Sequence, residues 1–279
     1  MTAMAEARHR LALTVRSVCP QPVLNWRETQ FYSRYGEVEL HFLDILCERS
    51  RDAIDVGAND GCYVHFLRRY ARHVHAFEPL PALAQALSRK FLRGVTVHPV
   101  ALSRIAGSAM LHMPLDAGSP ILACSTLSSQ ASSIYPGTDD IPVETATLDE
   151  VYGDDAGFIK IDVEGHEEDV LDGARQTIEW CRPNILVEII ERLSPGGVGR
   201  AIDRFRRLDY RGAFVYRGKL LPIDAFSASV MQRDEDYPDL HASLTEHQRF
   251  GPYIYNFIFV PGDKAAPVFG EIGRRVAGL

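Results

Sequence analysis

The chain has 279 residues, 46% hydrophobic and 24% charged, an ordinary soluble globular composition, and its length suits one large domain with insertions or one and a half domains. A formal charge of −7 and a pI near 5.8 argue against a general attraction to nucleic acid or anionic membrane. No apolar run reaches the ~18 residues that span a bilayer, so no membrane span is predicted.

Arg204, Arg206, Arg207 and Arg211 form a local basic cluster that reads as a solvated helix face. The five cysteines (Cys19, Cys47, Cys62, Cys124, Cys181) include no CxxC pair. That argues against a disulfide framework or a zinc site and fits a reducing compartment. The N-terminal stretch lacks the apolar core and cleavage site of a signal peptide. A cytoplasmic protein is expected.

In chain order, residues 1–50 read as a mainly helical extension, with Val38, Leu40, Phe42, Leu43, Leu46 and Cys47 near helical spacing. Its first residues suit packing or dimer contacts, so a homodimer is one expectation, and a frayed tail is the other. Strand–helix alternation follows. Strands are predicted at 53–56, 73–77 and 95–100, with helices near 62–71 and at 81–91, the latter with Pro81 at its start. Apolar runs at 158–163 and 185–190 predict two more strands, and helices are expected at 166–180 and 197–208. Such βαβ alternation implies a mostly parallel sheet with helices on both faces. Segments 213–217 and 253–260 predict two final strands without a crossover helix, hence an antiparallel edge. Between them, 224–252 is a long polar excursion, of a length more often used as a functional lid. Residues 103–157 read as a β insertion, with strands at 109–113 and 142–146 and a mobile, small-polar centre at 125–133. The residues after 263 are taken as a C-terminal tail.

The most informative stretch is Ile54-Asp55-Val56-Gly57-Ala58-Asn59-Asp60-Gly61. A short apolar run ends in a turn with two glycines and then a helix-forming segment. Ligands of open α/β sheets bind beyond the carboxyl ends of the strands. Gly57 and Gly61 allow positive φ and close approach of a ligand. The dinucleotide fingerprint G-x-G-x-x-G is missing. Asp55, two positions before Gly57, would repel a pyrophosphate and suits a cationic group such as the ammonium or sulfonium of S-adenosylmethionine. Glu78, 23 residues after Asp55 at the end of the second strand, can accept hydrogen bonds from both ribose hydroxyls. Ala58 and Asn59 complete the loop, though Asp55 and Asn59 could instead serve only as caps. Ala101 and Ser103, after the third strand, are placed where an adenine would rest.

Seven segments occur in order between 54 and 261: IDVGANDG, AFEP, VALS, ETATLDE, FIKIDVEGHEEDVLDGA, PNILVEI and NFIFVP. Together they resemble the FkbM-type family of S-adenosylmethionine-dependent methyltransferases, over about three-quarters of the chain. The pairing of DVGAN with KIDVEGHE is the specific part. Residues 1–50 and 224–252 take no part in it. The resemblance implies a class I methyltransferase (Rossmann-like) fold, a seven-stranded sheet with its last strand antiparallel. It also implies O-methylation of a hydroxyl, often on a sugar or polyketide-like natural product. Its acceptor would be a small molecule or carbohydrate, with no nucleic-acid partner.

In that fold KIDVEGHE faces the methionine half of the cofactor. Alternation puts Lys160, Asp162 and Glu164 on one face, and three such charges must line a cleft or pair with one another. An alcohol benefits from a base that takes its proton, and His166 is the candidate. Capping the next helix, or holding Glu164, are its competing roles. Glu188 ends the following strand. Asp162 and Glu188 could share a Mg²⁺ ion, for which no third ligand is evident, or Glu188 could bind acceptor hydroxyls directly. Tyr32 and Tyr35 could close over the cofactor, and His241 and His247 could touch a polyhydroxylated acceptor. His65, His73, His75 and His98 are read as framework residues. Two other functions compete: an NAD(P)-dependent oxidoreductase, disfavoured by the missing fingerprint, and a non-catalytic cofactor-binding or scaffold protein, disfavoured by the intact KIDVEGHE.

Overall fold

The computed structural model describes residues 21–116, 118–237 and 251–279, with side chains of residues 21–26 and 35 left aside. Five parallel strands form the centre: β1 (Asp52–Val56), β2 (Val74–Phe77), β3 (Val95–His98), and two later ones, β8 (Ala156–Ile161) and β9 (Asn184–Glu188). Three further strands extend the sheet: β10 (Tyr210–Tyr216), β11 (Lys219–Pro222) and β12 (Asn256–Pro261). The order across it is β11-β10-β12-β9-β8-β1-β2-β3.

Two expectations are corrected here. The sheet has eight strands rather than seven, because β11 folds back on β10. Arg217 and Gly218 both have positive φ (49° and 72°) and join Tyr216 to its partner Lys219. A two-residue loop with both φ positive matches the twist of a tight hairpin. The antiparallel strand β12 is also not at an edge. It lies between β9 and β10 and is antiparallel to both.

Alternation along the strands sends side chains to two cores. Ile159 and Ile161 join Ile54, Val56, Val187 and Phe257 on one face. Phe158 joins Ala53, Leu186, Ile258 and the N-terminal residues Val38, Phe42 and Leu46 on the other. The helix Gln21–Tyr35 and the turns at Val38–Phe42 and Leu43–Leu46 make up the described part of the extension. The residues taken as a tail instead form a helix, Gly262–Val276. Its Ala265, Ile272 and Val276 are buried in the second core, and Arg275 pairs with Asp44. The helix expected over 166–180 is broken into Glu167–Gly173 and Arg175–Cys181. A Cβ at Gly173 would lie 2.0 Å from the Ser103 carbonyl oxygen, so the chain passes too closely there for any other residue.

The insertion is a second sheet in the order β4-β7-β5-β6. Here β4 is Ala101–Leu102, β5 Gly107–Asp116, β6 Ser119–Pro120 and β7 Thr138–Ala146. The small-polar centre expected to be mobile carries a helical turn, Ser129–Ser132, with the Ser128 hydroxyl accepting from the Ala131 N–H. Among the described residues no helix is long and apolar enough to cross a membrane. Cys47, Cys62, Cys124 and Cys181 are unpaired thiols, and Cys19 lies outside the described residues.

Phe158 is fully buried at the centre of the second core. Phe158→Ala is expected to cost about 3–5 kcal/mol, read as a fall in the urea midpoint.

Candidate functional site

The site forms where β1, β2 and β8 end side by side. Gly57 and Gly61 have φ of +80° and +83°, and Asn59 has φ of 46°. The Gly57 and Ala58 N–H groups both donate to the Phe77 carbonyl at 3.0 Å, which ties this loop to β2. Gly57 also passes the β8 loop: a Cβ there would lie 1.8 Å from the Asp162 carbonyl oxygen. At Gly61 a Cβ would meet Leu87 and Phe91 at 2.6–2.7 Å, so that glycine serves packing.

Glu78 bridges the two loops. Its Oε2 accepts from the Asn59 N–H and its Oε1 from the Leu80 N–H, both at 2.8 Å. Burial raises its pKa, and the two backbone donors oppose that rise. Each carboxylate oxygen keeps acceptor capacity for a further partner.

A cleft opens beside this loop. Gly57, Asn59, Glu78, Asp162, Glu164 and His166 line its polar side. Phe77, Leu80, Val100, Ala101 and Leu102 line the apolar side, closed by Leu111, Leu122 and Leu127 of the insertion. The last three were not singled out as site residues, although alternation over 109–113 marks Leu111 as inward-facing. Asp55, Ala58, Gly61, Ser103 and Glu188 are not on the cleft's lining. Asp55 is buried behind the loop, with Oδ2 lacking a hydrogen-bond partner. Burial raises its pKa to about 7, against the attraction of Lys160.

Ser103 sits beside His166 instead. Its Oγ is 3.0 Å from His166 Nε2, and His166 Nδ1 is 3.3 Å from Asp169 Oδ2. Arg104 also pairs with Asp169. Burial lowers the His166 pKa and Asp169 opposes it, which favours a neutral imidazole near pH 7. Its side chain makes no capping bond to the following helix.

At the cleft's polar side, ligand atoms of Asp162, Glu164 and, off the lining, Glu188 lie within 4.8 Å of one another. Glu164 is thus the third carboxylate that strand alternation alone did not join to a candidate metal set. Lys160 reaches the same cluster, with Nζ 3.1 Å from Asp162 Oδ2. Burial raises the pKa values of Glu164 and Glu188, and neighbouring carboxylates, Asp162 first, add to it.

The N-terminal helix reaches the loop through Tyr32, whose hydroxyl donates to Asp60 at 2.8 Å. The Tyr35 side chain, His241 and His247 lie outside the described residues. The framework histidines are engaged: His65 with Thr29, His73 with Thr96, and His75 with His98. In the basic cluster, Arg204, Arg206 and Arg211 are paired with Asp172, Asp224 and Asp209.

Leaving out the extra strand β11, the order is that of a class I methyltransferase: three parallel strands outward from the centre, two beyond it, and an antiparallel strand inserted before the last. The model for the FkbM methyltransferase domain matches residues 55–211, 157 of 279 residues and so more than half. The chain belongs to that family. Methyltransferase FkbM of Methylobacillus flagellatus KT is 16% identical over 76% of this chain, with a TM-score of 0.48. This chain spans 44% of the length of that protein. A Streptococcus mutans protein solved in complex with SAH is 10% identical, with 80% of this chain and 95% of that one covered and a TM-score of 0.44. A SAM-dependent O-methyltransferase of Thermotoga maritima is 12% identical, with 80% and 64% covered and a TM-score of 0.38. No curated protein sequence matches.

The placement of Asp55 has a pH signature. Its carboxyl rises from an ordinary 3.8 to about 7 on folding, so the folded chain holds an extra proton between those values. Stability is therefore lost as pH rises through that window. Asp55→Asn should gain stability over the wild type between about pH 4 and about pH 7 and hold that gain above, measured by urea unfolding.

Proposed function

We propose that this chain is an S-adenosylmethionine-dependent O-methyltransferase acting on a hydroxyl of a small or carbohydrate-like molecule, of the sugar or polyketide type. The observation that carries this reading is Glu78. It is a buried carboxylate facing the cleft, with both oxygens held by backbone donors and both able to accept again. That arrangement suits the two hydroxyls of a ribose. The apolar wall from Phe77 to Leu127 suits an adenine, with Ala101 at its edge. Gly57 lets the β1 loop close on the β8 loop, and the Asp162 carboxylate on the cleft lining suits the cationic amino-acid end of the ligand. When bound, S-adenosylmethionine supplies a methyl group on an electrophilic sulfonium.

The chain's own task is then to align the acceptor and take its proton. Proximity accounts for much of the acceleration in such in-line transfers. His166 is assigned as the base. Neutral at pH 7, with Nδ1 toward Asp169, it presents Nε2 to an acceptor hydroxyl directly or through the Ser103 hydroxyl. Glu164, on the same side of the cleft, is assigned to acceptor hydroxyls, with Glu188 behind it.

Calorimetry with S-adenosylhomocysteine tests the cofactor half. Glu78→Ala should weaken binding at least about tenfold, and NAD should not bind to the wild type. Labelled S-adenosylmethionine with a panel of glycosides and polyketides tests the acceptor half. With the acceptor so found, His166→Ala should lower turnover by about 10²-fold or more while leaving S-adenosylhomocysteine affinity within about twofold. Unchanged turnover would remove His166 from the base role.

A further inference from the structure

Three carboxylates converging at adjacent strand ends invite a divalent cation. Ligand atoms within 4.8 Å of one another have the spacing such an ion needs. The cluster, however, already contains a cation that belongs to the chain. Lys160 extends from β8 with its side chain fully buried, and its Nζ lies 3.1 Å from Asp162 Oδ2. The same Nζ lies 4.9 Å from the centre of the Tyr63 ring, a second favourable contact for an ammonium. Burial opposes its charge. The carboxylates of Asp162, Glu37, Glu188 and Asp55 outweigh burial and hold its pKa above the ordinary lysine range.

The surroundings keep the ammonium in place. Glu37 accepts from the Tyr63 hydroxyl and, at 2.9 Å, from the Asn256 side-chain amide. Asn256 also donates to Glu39 at 3.4 Å. The lysine therefore sits between a braced carboxylate from the N-terminal segment and the cluster at the ends of β8 and β9. Its side chain has no exposed surface, so moving the ammonium into water would require the surrounding core to open. A divalent ion bound by Asp162 would lie next to this fixed like charge.

We propose that Lys160 is a positioning residue that takes the place of a divalent metal ion among Asp162, Glu164 and Glu188. Its ammonium forms an ion pair with Asp162 Oδ2 at 3.1 Å, and Asp162 itself lines the cleft. A charge built into the chain offsets part of the cluster's negative charge at all times, whereas a bound ion would do so only while loaded. The divalent ion suggested by Asp162 and Glu188 in the sequence therefore does not fit this site. The role for Asp162 in the cleft rests on the methyltransferase reading, but the test below uses neither methyl donor nor acceptor, so the two can fail separately.

The test is a Mn²⁺ titration of the full chain followed by electron paramagnetic resonance. The wild type should show no site tighter than about 1 mM. Lys160→Met should create a site at least about tenfold tighter, and Lys160→Met combined with Glu188→Gln should lose it. A lysine that only supported the fold would lower the melting temperature without creating a metal site. Wild-type Mn²⁺ binding that Glu188→Gln abolishes would overturn the proposal. So would a folded Lys160→Met protein, by circular dichroism, that gains no Mn²⁺. The wild-type titration requires no variant and decides the metal question even if Lys160→Met does not fold.

Discussion

The site depends on one close passage of backbone. The loop after β1 and the loop after β8 leave neighbouring parallel strands in the same direction and must share the space beyond the sheet. They can do so because residue 57 has no Cβ, where one would lie 1.8 Å from the Asp162 carbonyl. The Asp162 N–H also donates to the Val56 carbonyl at 3.0 Å, so the strand pairing continues to the edge of the cleft. Glu78 then fastens the β2 loop to the β1 loop. Residues more than a hundred positions apart become a single polar wall.

The electrostatics follow from that convergence. Strand ends bring Asp55, Asp162, Glu164 and Glu188 into a small, partly dry volume, and the N-terminal segment adds Glu37 and Glu39. Burial and neighbouring negative charge raise the pKa values of Asp55, Glu164 and Glu188, and Glu39 rises to about 8 by burial and the charge of Glu37. A region of this kind favours cations. Lys160 supplies one from within, and a sulfonium amino acid would bring another from outside. The insertion's Leu111, Leu122 and Leu127 sharpen the contrast, because they bring no charged group to the opposite side of the cleft.

The parallel strands were legible because a buried strand is a short apolar run with turn residues at its ends. The DVGAN and KIDVEGHE segments were legible because their glycines and charges interrupt those runs at the cofactor edge. What was not legible depends on contacts distant in sequence. The break at Gly173–Ala174 coincides with a crossing in which Gly173 passes the Ser103 carbonyl too closely for a side chain. The partnership of Ser103 with His166 joins residues 63 positions apart. The β10–β11 hairpin turns on Arg217-Gly218, a weaker signal than Asn-Gly. The C-terminal helix read as a tail because its apolar face has meaning only against partners distant in sequence, among them Phe42, Leu46, Val215 and Val260. Gln232 is a similar case: its amide donates to the Ile189 and Ile254 carbonyls at 2.7 and 2.6 Å, pinning the start of the 224–252 excursion to the sheet.

The position of β12 between β9 and β10 also bears on how the chain reaches this state. Domains of this size form while the chain is still being made, N-terminal parts first. The parallel centre from β1 to β9 can assemble before residues 256–261 are made, since all of its strands precede them. The β10–β11 hairpin cannot join it until residues 256–261 arrive to fill the gap. Until then β9 and β10 each present an open row of backbone donors and acceptors, and Phe214 lacks its partner Phe257. Open strand edges recruit strands from other molecules. A chain halted before residue 256 would carry two of them, and the last strand to be synthesised is the one that closes both.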